Sequence, residues 1–205
     1  MNFDLALHLD APEALLNGDL SFWPNALPGA VANVLLQQLL NELPWQTDSI
    51  VVYGKEHTIP RLQCWLGDAG LNYTYSGKTL QPLPWHPALS ALCAALNRQT
   101  GQGFNSVLCN LYRDGQDAMG WHSDDEPELG DAPVIGSISL GAERDFALRP
   151  KGATRMSGKL ALPHGSLLMM EAGMQSRWQH SLPRRAGVRA ARINLTFRRL
   201  LTASA

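Results

Sequence analysis

The residues with the densest potential for chemistry lie between Asn110 and Glu126, in the run Asn110-Leu111-Tyr112-Arg113-Asp114-Gly115-Gln116-Asp117-Ala118-Met119-Gly120-Trp121-His122-Ser123-Asp124-Asp125-Glu126. His122 and Asp124 stand two positions apart. Strand side chains alternate with period two, so this imidazole and this carboxylate leave the backbone on the same side. They make two corners of a metal site. A third must come from elsewhere in the chain. Two histidines and one carboxylate form the facial triad that binds ferrous iron and keeps its remaining positions open.

Six histidines are present: His8, His57, His86, His122, His164 and His180. His164 lies in the turn-like Pro163-His164-Gly165, where a histidine usually faces solvent. His180 lies in the strand-like Trp178-Gln179-His180-Ser181-Leu182, from which a side chain can face a barrel interior, and it is the favoured third ligand. By residue type alone, the alternative is a structural histidine paired within the core.

Arg192-Ile193-Asn194-Leu195-Thr196-Phe197-Arg198 alternates almost perfectly. Ile193, Leu195 and Phe197 share one face, and Arg192, Asn194, Thr196 and Arg198 share the other. Two arginines on one face of a half-buried strand are costly unless paired. A guanidinium is the natural bidentate partner of a carboxylate, so a dicarboxylate such as 2-oxoglutarate would satisfy the row. An amphipathic edge strand with its polar face in water is the alternative.

The elements that must position these residues are short. Val31, Val34, Leu35, Leu39 and Leu43 recur at helical spacing and predict a helix over Pro28–Leu43, closed by Pro44. Leu89, Leu92, Ala95 and Leu96 predict a second over His86–Arg98. Ile50–Tyr53 is a short β-like run, and residues 60–85 read as strands and turns. After Gly103, apolar runs alternate with turn signals: Phe104–Tyr112, Met119–His122, Val134–Leu140, Asp145–Arg149, Gly158–Leu162, Ser166–Met170, Trp178–Leu182 and Arg192–Phe197. Residues 1–20 show no pattern and read as peripheral. The expected class is α+β, mostly β: a double-stranded β-helix, or jelly roll, with the N-terminal helices packed on one sheet.

Bulk properties narrow the function classes. The chain has 205 residues, enough for one domain with a real core and short for two. Its 45% hydrophobic and 17% charged content read as globular. No run approaches the roughly 18 apolar residues of a membrane span. The N-terminus lacks the basic start and apolar core of a signal peptide. Cys64, Cys93 and Cys109 have no disulfide-framework or zinc-knuckle spacing. The expected compartment is the cytoplasm, or the nucleus in a eukaryote. Net charge is −1, but its distribution is uneven. Seven acids and no base lie between Asp114 and Asp131, and seven arginines and no acid between Arg177 and Arg199. One segment suits a metal or cationic group, the other carboxylates or phosphates.

Taken together, these motifs resemble the AlkB family of Fe(II)- and 2-oxoglutarate-dependent nucleic-acid dioxygenases. The resemblance covers roughly residues 50–200 and is closest to the vertebrate homologue that repairs alkylated duplex DNA. It rests on Tyr53-Gly54-Lys55, Pro60-Arg61, Gly67-Asp68-Ala69-Gly70-Leu71, Tyr73-Thr74-Tyr75-Ser76-Gly77, Asn110 with Tyr112, His122 to Glu126, Arg144-Asp145-Phe146, His180 and Arg192 to Arg198.

The resemblance implies that His122, Asp124 and His180 ligate Fe(II). It places Arg192 on the distal carboxylate of 2-oxoglutarate and Arg198 near its metal-proximal end. Asn110, Tyr112, Asn194 and Thr196 complete that pocket. Tyr73 and Tyr75, with Ser76 beside them, would sandwich a flipped base. Tyr53, where the duplex-acting relative has phenylalanine, would fill the gap left in the duplex. Asp125 and Glu126 would attract a cationic base, and Arg61 would contact substrate. The duplex grip would come mainly from Arg177, Arg184, Arg185, Arg189 and Arg199. The implied reaction removes N-alkyl lesions, 1-methyladenine and 3-methylcytosine, from DNA with O2 as cosubstrate, releasing formaldehyde, succinate and CO2. The expected partner is alkylated DNA, single- or double-stranded, and the expected state a monomer away from membranes. The alternative is a hydroxylase or demethylase acting on RNA or protein. One domain over residues 1–205 is expected, with a helical N-terminal extension and nucleotide-recognition lid in 1–100 and the jelly-roll core in 104–200.

Overall fold

Leu5 and Leu7, from the segment expected to be peripheral, are buried in the core. Strands β1 (Glu13–Leu15) and β2 (Leu20–Trp23) follow as a hairpin. A four-residue alternation is too short to stand out in a sequence, yet Leu20 and Phe22 are buried while Ser21 and Trp23 are half-buried. The structure is a computed structural model and describes residues 5–52, 55–75 and 78–201.

Helix α1 (Gly29–Glu42) runs between Pro28 and Pro44 and buries Ala32, Leu35 and Leu39. Strands β3 (Ser49–Val52) and β4 (Lys55–Thr58) pair with each other. Strand β5 (Leu62–Gly67) is followed by a second small hairpin, β6 (Tyr73–Tyr75) with β7 (Lys78–Leu80). Helix α2 (Pro87–Thr100) opens with proline in its first turn, where no N–H is needed. His86 caps it by accepting the Ala88 N–H, and Gly101 closes it at φ +70°. This helix runs two residues past the expected Arg98.

The remaining runs all fold as strands, within a residue or two of expectation. They are β8 (Ser106–Tyr112), β9 (Met119–His122), β10 (Ile135–Gly141), β11 (Arg144–Pro150), β12 (Gly158–Leu162) and β13 (Leu167–Met170). A four-residue helix, α3 (Met174–Arg177), leads into β14 (Trp178–Leu182), and β15 (Arg192–Arg198) ends the core.

Two antiparallel sheets result, the large one ordered β1-β2-β13-β10-β15-β8-β5 and the small one β12-β11-β14-β9. Period two explains how they stack. Val107, Cys109, Ile138, Leu140, Ile193, Leu195 and Phe197 face the helices and join Leu35, Leu39, Leu89 and Leu92 in one apolar cluster. On the other side Leu20, Phe22, Ile135, Leu168 and Met170 meet Phe146, Leu148 and Leu162 of the small sheet. This is the jelly roll with helices on one sheet. Among the described residues, no helix is long and apolar enough to cross a membrane.

Two locks hold the ends of the strands that carry the site. Asp19 accepts hydrogen bonds from Arg177 and from Trp178 Nε1 (2.9 Å), tying the N-terminal hairpin to the start of β14. Arg144 is 1% exposed and donates to the carbonyls of Asp114 (3.1 Å), Asp117 (2.8 Å) and Pro183 (2.7 Å). It thereby joins the loop after β8 to the loop after β14. Gly115 pairs with both Arg185 and Val188 at 2.9 Å across the same junction. A Cβ on Gly115 would lie 2.0 Å from the Arg185 carbonyl oxygen, so the loops must part to admit one. Gly115→Ala is therefore expected to destabilise the protein by about 1–3 kcal/mol, measured as a fall in the urea midpoint without change in slope.

Candidate functional site

His122 ends β9 and sits directly across from His180 on β14, with ring centroids 4.2 Å apart. The register then slips, because Leu182 pairs with Met119 rather than with Gly120. This bulge puts an extra residue in β9, so Met119 and His122 both reach the space between the sheets although they are three apart. His122 Nδ1 bonds the Gly120 carbonyl at 2.9 Å, which turns Nε2 toward Asp124, 3.7 Å from Oδ1. Asp124 lies past the strand end and is held by its own N–H, which donates to Gln175 Oε1 at 2.9 Å. Ser123 adds a bond to the Trp178 carbonyl (2.9 Å), and Phe146 stacks on His180 at 5.0 Å.

One ligating atom from each of His122, Asp124 and His180 lies within 4.8 Å of the others. Burial works against the charge of Asp124, but the Arg198 guanidinium and then the two imidazoles outweigh it and hold the carboxyl well below its usual range. Burial, with the charges of His122 and Arg198, pushes His180 down to about 3. A carboxylate beside a neutral imidazole is the form in which such side chains bind a cation. The donor set suits a divalent transition metal, with iron the usual occupant of two histidines and one carboxylate.

Behind the triad, an inner cavity is lined by Asn110, Tyr112, Ser137, Arg192, Asn194, Thr196 and Arg198, together with apolar residues including Met170. Arg192 is 1% exposed, and burial brings its pKa down to about 10, which leaves it a cation at neutral pH. Its Nη2 donates to Ser139 Oγ (2.9 Å) and Asn194 Oδ1 (2.8 Å), while Nε and Nη1 are buried without a partner among the described residues. A buried guanidinium with two spare donors fits a carboxylate. Arg198 stands at the metal end, with Nη2 2.8 Å from Asp124 Oδ1. The clamp residues thus share one face, with Arg192 and Arg198 at its two ends.

An outer cavity opens on the other side of the triad, lined by Asp48, Ile59, Arg61, Gln63, Trp65, Ser123, Glu126 and Leu200. Leu108, Met119, His122, Asp124 and Arg198 line both cavities. Arg61 bridges them, because its Nε donates to Asn110 Oδ1 at 2.8 Å. With the oxygen of Asn110 engaged, its NH2 group faces the inner cavity as a donor.

The structure brings together the expected His122, Asp124, His180, Asn110, Tyr112, Arg192, Asn194, Thr196, Arg198, Arg61 and Glu126. It separates Asp125, whose carboxylate pairs with Lys151 at 2.6 Å on the surface and does not line the outer cavity. Of these two neighbouring acids, Glu126 alone lines the cavity. His164 serves the fold by accepting the Gly141 N–H at 2.8 Å. Of the arginines expected to grip a duplex, Arg177 is tied to Asp19 and Arg185 lies 3.5 Å from Glu143. Tyr53 and Ser76 lie outside the described residues, as do the side chains of Tyr73 and Tyr75.

The sequence reading missed Ser137, Ser139, Gln175, Asp48 and Gln63. The serines had a signal, as polar residues at period two in the apolar Ile135–Gly141. Gln175 sits in a four-residue helix too short for any pattern.

Two substitutions probe the positioning contacts. Gln175→Leu removes the acceptor for the Asp124 N–H and is expected to weaken Mn(II) binding about tenfold by calorimetry, with Gln175→Glu restoring part of it. Arg61→Lys keeps the charge but loses Nε, and is expected to raise KM for 2-oxoglutarate severalfold with a smaller change in kcat, read by succinate formation.

The 2OG-Fe(II) oxygenase superfamily matches residues 19–198 of the chain. Alpha-ketoglutarate-dependent dioxygenase alkB homolog 3 of Homo sapiens is 42% identical over 185 residues, covering 86% of this chain and 64% of the relative. DNA oxidative demethylase ALKBH2 of Homo sapiens is 46% identical over 182 residues, covering 84% of this chain and 70% of the relative. The ALKBH2 of Arabidopsis thaliana is 35% identical over 209 residues, covering 89% and 67%. The chain spans less than two thirds of the length of the first of these relatives. Similarity sustained over this much of the sequence has one reading: the chain belongs to the 2OG-Fe(II) oxygenase superfamily and, within it, to the AlkB family.

Proposed function

We propose that this chain is an Fe(II)- and 2-oxoglutarate-dependent DNA oxidative demethylase that removes N-alkyl groups such as those of 1-methyladenine and 3-methylcytosine. The observation that carries this reading is the pair of cavities that share His122 and Asp124, with His180 completing the triad from the inner one. One cavity has the charge to hold a dicarboxylate, and the other has room and polarity for a base. The names of two relatives, both DNA oxidative demethylases, support the same reading.

In this reading His122, Asp124 and His180 hold the iron. Arg192 receives the distal carboxylate of 2-oxoglutarate, with Tyr112 below its guanidinium at 5.4 Å. Asn110, Asn194 and Thr196 hydrogen-bond the cosubstrate, and Arg198 keeps Asp124 ionised while marking the metal end. Iron held there would supply, with 2-oxoglutarate and O2, the two-electron oxidation that turns the N-methyl group into formaldehyde, with succinate and CO2 as coproducts. The apolar lining from Met119, Phe146, Leu162 and Met170 keeps bulk water out of the inner cavity.

The substrate base enters the outer cavity. Glu126 lines it and attracts the positive charge that N-alkylation places on adenine or cytosine. Asp125, spent on Lys151, contributes to the loop instead. Tyr73 and Tyr75, followed in sequence by Ser76, are the candidates for stacking on a flipped base, and Tyr53 is the candidate for filling the gap it leaves in a duplex.

The test is anaerobic reconstitution with Fe(II), followed by air, 2-oxoglutarate and an oligonucleotide carrying one 3-methylcytosine. Mass spectrometry is expected to show loss of one CH2 in single- and double-stranded DNA, with stoichiometric formaldehyde, and no loss with His122→Ala. Absence of turnover on every methylated base offered, RNA included, defeats the proposal.

A further inference from the structure

The outer cavity contains a carboxylate that no motif marks. Asp48 directly precedes β3, and its carbonyl accepts the Ile59 N–H at 2.9 Å, fixing it at the open end of the β3–β4 hairpin. Its side chain is positioned as firmly as its backbone. Oδ2 accepts from Gln63 Nε2 at 2.9 Å, and Oδ1 accepts from the Ser49 N–H at 2.8 Å. Gln63 lies on β5 opposite Asn110, so this carboxylate is braced against the same sheet that carries the cosubstrate pocket.

The charges around the cavity make Asp48 distinctive. Asp124 is engaged by Arg198 at 2.8 Å, and Asp125 points away to Lys151. The hydrogen bonds that Asp48 receives among the described residues come from neutral donors, an amide side chain and a peptide N–H. These donors orient a carboxylate without cancelling its charge. An ionised carboxylate has about four lone-pair sites, so two donors leave it able to accept more. Asp48 and Glu126 come from separate segments of the cavity wall.

We propose that Asp48 is a specificity-determining residue, which with Glu126 makes the outer cavity select alkylated bases that carry a positive charge over neutral ones of the same shape. This rests on the demethylase reading above, in which Glu126 already faces the cationic base, and adds Asp48 as a second, separately held anion in the same cavity. The physical basis is charge on charge in a partly desolvated cavity, where a fixed anion stabilises a cationic ring and gives a neutral ring no such gain. The pair that isolates this difference is 3-methylcytosine, a cation, and 3-methylthymine, its neutral near-isostere.

The experiment measures dissociation constants for two labelled oligonucleotides, identical except for that one base, with enzyme holding Mn(II) and 2-oxoglutarate in the absence of oxygen. Wild-type protein is expected to bind the 3-methylcytosine strand more tightly. Asp48→Asn keeps the shape and one of the two acceptors, enough for Gln63, while removing the charge, and is expected to lower the cation-to-neutral ratio about five- to tenfold. Asp48→Glu is expected to restore most of it. A wild-type enzyme that does not distinguish the two strands overturns the proposal. So does an Asp48→Asn protein whose two constants worsen by the same factor, since that marks Asp48 as a brace for Gln63 alone. Turnover of 3-methylcytosine DNA by the same wild-type preparation separates this failure from failure of the demethylase reading.

Discussion

The contact between Arg198 and Asp124 is the point on which the rest of the site depends. Arg198 ends β15, an interior strand of the large sheet, and Asp124 follows β9, an edge strand of the small one, so their 2.8 Å ion pair ties the sheets together where the cavities meet. Both side chains are nearly enclosed, at 11% and 4% exposure. Removing one partner of such a pair costs about 3–5 kcal/mol, because the other charge stays buried. The same contact sets the electrostatics. It keeps Asp124 anionic and adds to the pressure that keeps His180 neutral. A structural tie and a tuned ligand set are thus one interaction, and neither can be altered alone.

Much of this was legible in the sequence because strands write a simple pattern. Arg192, Asn194, Thr196 and Arg198 alternate with Ile193, Leu195 and Phe197, and the structure sends one set to the cavity and the other to the helices. His122 and His180 could be chosen because each sits in a strand-like run. What stayed hidden depends on distance or on irregularity. The β1–β2 hairpin is too short to show a period, although Leu20 and Phe22 fill the space between the sheets. Gln175 holds Asp124 from 51 residues away, and nothing local announces it. The bulge in β9 breaks the parity on which the strand argument relies, so Met119 lines the cavity beside His122 against a strict count. Adjacent acids look equivalent in a sequence, and only the structure separates Glu126, which lines the cavity, from Asp125, which pairs with Lys151.

The polar wall of the large sheet shows how a site can be wet in character without being loose. Gln63, Asn110, Asn194 and Ser139 occupy matched positions on four neighbouring strands. Side-chain bonds from Arg61 to Asn110, and from Arg192 to Asn194 and on to Thr196, run along this row. Each amide is thereby fixed in one orientation, and preset donors lose little freedom when an anion arrives. The apolar residues on the reverse of the same strands pack against the helices and keep the row straight.

The shared wall between the cavities has a consequence for ligands of a different kind. Leu108, Met119, His122, Asp124 and Arg198 line both chambers, so two of the three triad residues can be reached from either one. A single molecule with a dicarboxylate at one end and a cationic heterocycle at the other could cross the metal position and fill both. Its second half would bind at an effective concentration set by the spacer, on the order of millimolar for a short link. Such a molecule would meet the same five side chains from both of their sides.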